Sequence, residues 1–377
     1  MSENLLLELG TEEIPAGYLV PACETLRRCV AELLDGSNLS YGELLTTCTP
    51  RRMVLFAEGV AELQEDRTET VQGPPAKVAF DADGKPTQAA VGFARANGVA
   101  VEDLTVSETG NGRYVFAVRE VPGRTTLEIL AEALPGLIMG IGFPKSMHWK
   151  RPSLRFARPI RNILCLFGDQ VVDFELDGVS SGNVSFGHPF LAGGPVEVPA
   201  ADYEHYKELL RRRFVIVDLQ ERREEIRRQI EVLLKRHGSS FEEDELLDEV
   251  TNLVEYPCAV EGSFDERFLS LPDEVTVTAM TEHQRYFPVR GADGSLLPNF
   301  ITVSNRTDRS SEQVRLGNER VLRARLVDAD FFWNEDRKGA LADRVQQLEG
   351  VVYLGGLGNN LQRVARLEVI AQAAQVH

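Results

Sequence analysis

Residues Glu312 to Asp336 read EQVRLGNERVLRARLVDADFFWNED, and no other stretch restricts the fold of this chain so tightly. The apolar residues Val314, Val321, Leu322, Leu326, Ala329, Phe332 and Trp333 recur at three- and four-residue steps, the period of a helix with one buried stripe. One face of that helix therefore docks on a core. Arg315, Arg320, Arg323 and Arg325 lie largely off the stripe, with Asp328 and Asp330 one turn further on. Spacing alone leaves two readings of them. They form a solvated face in which Arg325 pairs with Asp328 at i,i+3, or a row of guanidinium groups that meets phosphate or a partner.

A chain of 377 residues, 43% hydrophobic, exceeds one ordinary core and predicts two or three domains of a soluble globular protein. It contains no run of eighteen apolar residues, and MSENLLLELG has no basic region ahead of its apolar run, so neither a membrane span nor a secretory signal is indicated. The cytoplasm is the expected compartment. Cys23, Cys29, Cys48, Cys165 and Cys258 are odd in number and never spaced as C-x-x-C, which argues against a disulfide framework or a zinc knuckle. The net charge of −17 repels a polyanion at long range, so any RNA contact has to be a local patch. One such run is KSMHWKRPSLRFARPIR, where Lys145, Lys150, Arg151, Arg155, Arg158 and Arg161 occur without an acid and with Trp149 and Phe156 among them. Cations mixed with aromatics suit phosphate and an unpaired base; a surface whose arginines pair with the acidic excess elsewhere is the plain alternative.

Leu5 to Leu9 reads as a short buried strand, and GTEEIPAG leads from it into a helix over Tyr18 to Leu34. Glu12 and Glu13 stand at that turn, where acids meet the helix dipole or bind a cation or amine. Gly42 to Leu63 predicts two strands about TPRR, Gln88 to Asn97 a helix, and Asn111-Gly112 a hairpin turn before Arg113 to Arg119. Thr125 to Gly140 predicts a helix that Pro135 ends or kinks. Ile160 to Phe167 and Gln170 to Leu176 are β-rich, and His188, between a glycine and a proline, suits a turn hydrogen bond or a phosphate contact.

From Ala201 the chain turns to charged amphipathic helices, broken by a short strand at Val215 to Val217. Pro272 to Glu282 is a further helix, and a hairpin about Asp293-Gly294 follows. His283, Gln284 and Arg285 sit between them and either line a pocket or lock the junction by bonding to backbone. Two apolar helical pieces, Val345 to Tyr353 and Leu361 to Val376, close the sequence, which is expected to stop inside its last domain. The predicted class is α+β: a mainly antiparallel sheet with helices to one side over 1–338, a helical insertion at about 200–257, and a helical fragment from 339.

GTEEIP (Gly10 to Pro15), TPRR (Thr49 to Arg52), FARPIR (Phe156 to Arg161), GHPFL (Gly187 to Leu191), LLDEVTNLVEYP (Leu246 to Pro257), HQRYFPV (His283 to Val289) and GNERVLRARLVDADFFWNED follow one another in that order. Together they resemble the β subunit of the bacterial tetrameric glycyl-tRNA synthetase. The resemblance implies a first domain folded like the editing domain of the phenylalanyl synthetase β chain, followed by the start of an all-α HD-type domain, truncated here. It implies a subunit of the ligase that joins glycine to its tRNA, with two α and two β chains, in which ATP with Mg is bound by the α subunit and no cofactor by this chain. No phosphate loop, GxSxG elbow or class II ATP-binding motif occurs in the sequence, so an accessory role, bracing the α subunit and positioning glycine tRNA, is expected. The tRNA-binding candidates are Lys145, Lys150, Arg151, Arg155, Arg158, Arg161, Arg320, Arg323 and Arg325, and the pocket candidates His283, Gln284 and Arg285. The alternatives are a hydrolytic editing domain using His283, Arg285 or His188, and a module for assembly alone.

Overall fold

The computed structural model describes residues 1–81, 83–110, 112–149, 154–306 and 311–374. Asn111 of the expected hairpin turn, Lys150 and Arg151 of the basic run, and the end of the last expected helix lie outside them. The chain forms two compact units, Met1–Arg223 with Glu249–Tyr256, and Glu224–Asp248 with Pro257–His377. Both mix helices with small sheets whose pairings are almost all antiparallel.

The first unit is built on β1 (Ser2–Thr11), the centre of a sheet in which it pairs antiparallel with β3 (Arg52–Ala61) and β4 (Ile160–Phe167); β2 (Leu44–Thr49) pairs with β3. Among the described residues only Val179–Gly182 runs parallel, beside β4. Alternation along β1 sends Leu5, Leu7 and Leu9 to one face, against the helix α1 (Ala16–Gly36), and Leu6 and Glu8 to the other. That second face is also covered, by Val196, Val198, Tyr206, Leu210 and Val215 from the segment carrying helix Tyr203–Arg211. The expectation of helices to one side is therefore corrected. A strand that is apolar at both parities has to be buried on both faces.

Helix α2 (Thr126–Met139) covers the expected stretch and continues past Pro135. Leu134 and Ile138, on either side of the proline, are fully buried in the core, and their packing offsets the roughly 3 kcal/mol an interior proline costs. Its start carries a full capping box between Thr125 and Glu128. A smaller three-stranded sheet (Arg67–Pro75, Gly112–Val121, Thr105–Thr109) holds helix Gln88–Ala96, which lies so close that a Cβ on Gly73 would meet the Phe93 ring at 2.6 Å. Val215 to Val217, expected as a strand, is buried but pairs with no strand among the described residues.

In the second unit the strands Cys258–Ser263, Leu296–Ser304 and Phe287–Arg290 form an antiparallel sheet. The helices Asp273–Gln284 and Ser311–Asp336 share its core, where Met280, Phe300, Leu322 and Leu326 are buried and Tyr286 stacks on Phe300 with ring centres 4.7 Å apart. The predicted long helix is present, but its buried stripe is narrower than its apolar pattern. Leu322, Leu326, Ala329 and Trp333 face inward, whereas Val321 (43% exposed) and Phe332 (61%) do not. Val345 to Tyr353, expected as a helical piece, ends a 3-10 helix (Leu341–Gly350) and enters a short strand, Val352–Leu354, paired with Gly358–Asn359; helix Asn360–Ala374 follows.

Candidate functional site

Glu8 is the one charged residue among the leucines of β1, and strand alternation places it inside the second core with 1% of its surface exposed. A carboxylate there survives only if donors surround it. Asn162 donates to Glu8 Oε1 at 3.0 Å, the Ser185 hydroxyl donates at 2.7 Å and the Tyr206 hydroxyl at 2.5 Å to Oε2, and the Arg52 guanidinium stands 3.5 Å away. Arg52, itself buried, donates from Nε to Glu255 at 3.0 Å and from both Nη atoms to the Phe186 carbonyl. The Thr49 hydroxyl donates to the same Glu255 oxygen at 2.6 Å. Glu8, Arg52 and Glu255 thus form a buried chain of charges that ties β1, β3, the strand Val184–Phe186 and the end of the LLDEVTNLVEYP segment together.

Burial would raise the carboxyl of Glu255, but the Arg52 guanidinium and the Thr49 hydroxyl overcome it and hold the pKa below the ordinary value. Burial works against Arg52 too, and Glu255 and Glu8 outweigh it, so Arg52 keeps its proton. Burial first, then Glu8, push the Tyr206 hydroxyl well up, so it remains a donor. A carboxyl with a depressed folded-state pKa stabilises the fold above its unfolded value, and that stability is lost as pH falls through the folded value. Urea unfolding of the first unit should therefore become easier between about pH 5 and pH 3, and Glu255→Gln should flatten that dependence by close to one proton. The readout is fluorescence of Trp149, the first unit's tryptophan, in a Trp333→Phe background. An unchanged slope would count against the ionised cluster.

Around this cluster the motifs of the first unit come together. Glu12 of GTEEIP pairs with Arg51 of TPRR at 2.7 Å and with Arg161 of FARPIR at 2.6 Å. The side-chain bond from Arg161, against the effect of burial and helped by Arg51, lowers the pKa of Glu12. The amides of Thr11 and Ile14 bond the carbonyls of Arg51 and Pro50. Between Thr11, Arg51, Arg161, Asn162 and the glycine-rich loop 187–194 lies a recess of about 280 Å³. His188 of that loop is fully buried; its amide donates to the Arg213 carbonyl at 2.9 Å, and its Nδ1 accepts from the Phe190 amide at 3.3 Å.

A larger groove, about 850 Å³, lies at the start of α1. It brings together Lys145, Arg155 and Arg158 of the predicted basic run, and among the described residues no carboxylate lines it. Lys145 and Arg155 are exposed and make no ion pair among the described residues; Arg158 donates to the backbone carbonyls of Glu13 at 2.9 Å and Ala157 at 3.2 Å. Arg161 stands apart, held by Glu12. The two aromatics of the run are not the stacking faces the pattern suggests. Phe156 is fully buried, and Trp149 packs on the core and donates its indole N–H to the Phe156 carbonyl at 3.1 Å. The groove's apolar wall instead comes from Tyr18, Met139, Phe143 and Met147.

The other candidates are in the second unit. Arg320, Arg323 and Arg325 are exposed and unpaired among the described residues, so the expected Arg325–Asp328 bridge is not formed; Arg315 alone is neutralised, by Glu312 and Glu319, both at 2.8 Å. At about 100° per residue Arg323 and Arg325 fall on opposite flanks of the helix, with Arg320 on the outward face between Leu316, Val327 and Phe331. His283 is exposed at the end of helix Asp273–Gln284, and Gln284 is half-buried. Arg285 adopts the left-handed conformation at φ 58° that ends the helix, and its guanidinium donates to the Thr281 carbonyl at 3.1 Å.

The sequence left Glu8, Asn162, Ser185, Tyr206 and Glu255 unmarked as members of a buried polar cluster. Glu8 had a visible signal, a lone charge in LLLEL; the others had none, since they stand in stretches rich in similar residues. Among the described residues no group of three or more His, Cys, Asp and Glu side chains could hold a metal ion, and no helix is long and apolar enough to cross a membrane.

A family model described as glycyl-tRNA synthetase beta subunit matches residues 5–376. The glycine–tRNA ligase beta subunit of Moorella thermoacetica is 47% identical over 98% of this chain and 53% of its own length. Those of Syntrophotalea carbinolica and Geobacter sulfurreducens are 48% and 46% identical, each across 54% of its length and over 98% and 99% of this chain. The chain spans about half the length of the curated relatives it matches. With nearly every residue inside the match, the chain belongs to the glycyl-tRNA synthetase beta subunit family.

Proposed function

We propose that this chain serves a cytoplasmic glycine–tRNA ligase as its accessory subunit, contributing shape and cationic side chains while an α subunit binds glycine, ATP and Mg and performs the activation. Two α and two β chains make up that enzyme, and the ligand of this chain is glycine tRNA. The first unit takes the fold of the phenylalanyl synthetase β-chain editing domain, and the segment from 339 begins an HD-type helical domain. The observation that carries the tRNA reading is the groove with Lys145, Arg155 and Arg158: three cations without a lining carboxylate, on a chain of net charge −17. On so acidic a protein unneutralised cations gathered in one concavity suit a polyanion that has to be held locally.

The outward face of helix Ser311–Asp336 is better suited to assembly with another subunit. Arg320 there stands among Leu316 (50% exposed), Val327 (43%) and Phe331 (59%), with Arg323 on the adjoining flank, a mixture that a protein surface buries and a phosphate backbone does not. The groove is tested by titrating labelled glycine tRNA against the α–β assembly at several salt concentrations. The triple variant Lys145→Ala, Arg155→Ala, Arg158→Ala should bind at least about tenfold more weakly at 0.1 M salt, with the slope of log K against log salt smaller by about two units. Unaltered affinity and slope would overturn the assignment. Arg320→Ala with Arg323→Ala should weaken capture of the α subunit and leave the salt slope intact.

A further inference from the structure

Resting on the reading of the groove as an RNA contact, we infer that it takes unpaired nucleotides, a single-stranded stretch whose base lodges on the apolar wall while its phosphates meet Lys145 and Arg155, and that it does not hold the outside of a duplex. Three features of the groove lead there. Its size, about 850 Å³, is within the roughly 300–1,000 Å³ of clefts that enclose a small organic ligand, which is the scale of one or two nucleotides and far more than a free phosphate ion fills. Its wall is apolar and accessible: Met139 is 44% and Met147 56% exposed, and behind them the half-buried rings of Tyr18 and Phe143 stand 6.5 Å apart. Its cations are distributed unequally. Arg158 is held to the floor by the Glu13 and Ala157 carbonyls, whereas Lys145 and Arg155 are exposed and unpaired among the described residues.

A duplex shows a protein a convex surface of phosphate and sugar, with its base faces stacked away inside. Such a surface meets cations on a flat or convex patch and would leave methionine side chains in a concavity facing water or ribose. An unpaired base carries an apolar π face that stacks on aromatics and is matched by polarizable thioethers, and its backbone phosphates still require cations at the edge. Wall and rim together therefore fit the single strand. Stacking on such a wall is open to every base, since each has a π face, so the site should tolerate any base.

Fluorescence anisotropy with the full chain separates the possibilities, using a labelled six-nucleotide single-stranded RNA and a hairpin duplex of the same composition at matched salt. The single strand should bind at least about tenfold more tightly than the duplex. Met139→Ala with Met147→Ala, both surface changes, should cost the single strand about tenfold, leave its salt slope unchanged and leave the duplex unaffected. Lys145→Ala with Arg155→Ala should flatten the slope for the single strand. Duplex bound as tightly as single strand, or binding indifferent to the methionine changes, would overturn this inference and leave the tRNA reading standing. Binding of whole tRNA that ignores Lys145→Ala with Arg155→Ala would remove that reading itself.

Discussion

Arg52→Met is expected to destabilise the first unit by about 3–5 kcal/mol, the usual cost of leaving buried charge without its partner. Arg52 is 4% exposed and stands between two carboxylates, Glu8 at 3.5 Å and Glu255 at 3.0 Å, which are 1% and 0% exposed. Methionine fills much of the same volume, so packing changes little and the loss isolates the electrostatics. Both carboxylates would then have to take up protons or draw in water, and the Phe186 carbonyl would lose two donors. Measured by Trp149 fluorescence in Trp333→Phe, the urea midpoint should fall by at least about 1 M. Adding Glu255→Gln should cost less than the sum of the two single changes, because the second removes the charge that the first stranded. Additive losses, or a loss below about 1 kcal/mol for Arg52→Met, would show that the three groups are not a coupled buried unit.

The parts of this fold that could be read from the sequence are those where one short-range rule is decisive. The long helix at Ser311–Asp336, the hairpin about Asp293-Gly294 and the TPRR turn between β2 and β3 were all legible from period or turn chemistry. The misreadings share a different cause. Val321, placed on the buried stripe by its period, is 43% exposed because Leu322, Leu326, Ala329 and Trp333 take the inward positions, and Val215 to Val217, rich in β-formers, is buried without pairing to a strand among the described residues. Neither fact is local. The site divides in the same way. A run of cations without acids is visible in the sequence, but its neutralisation is not: Arg161 is held by Glu12 far away in the chain, while Lys145 and Arg155 find no counter-charge among the described residues. Nor could spacing show that Trp149 and Phe156 turn inward while Met139 and Met147, outside or unnoticed in the run, supply the apolar wall. Glu8 marks the limit: its burial was foreseeable from LLLEL, its partners were not.

Arg222→Lys should be nearly as damaging as Arg222→Ala, each costing the first unit about 3 kcal/mol or more, although lysine preserves the charge. Arg222 is fully buried, and its guanidinium donates to four main-chain carbonyls: Nε to Thr251 at 3.0 Å, Nη1 to Ile216 at 2.6 Å and Val217 at 3.2 Å, and Nη2 to Cys48 at 2.6 Å. The planar fork reaches three separate stretches of chain at once: the last turn of helix Asp244–Thr251, the buried segment 215–217, and β2. Burial pushes the guanidinium pKa down to about 10, which still leaves it charged at neutral pH, so all its donors are available. A lysine ammonium has three donors at a single point and cannot span those carbonyls. At least one buried acceptor would be orphaned, at about 1–3 kcal/mol each, and a compact ammonium would be desolvated in exchange. The control is Arg211→Lys at the ion pair with Glu221, where Arg211 is half exposed and the change should stay below about 1 kcal/mol. If Arg222→Lys kept most of the wild-type urea midpoint while Arg222→Ala lost it, charge and not reach would be what this position supplies.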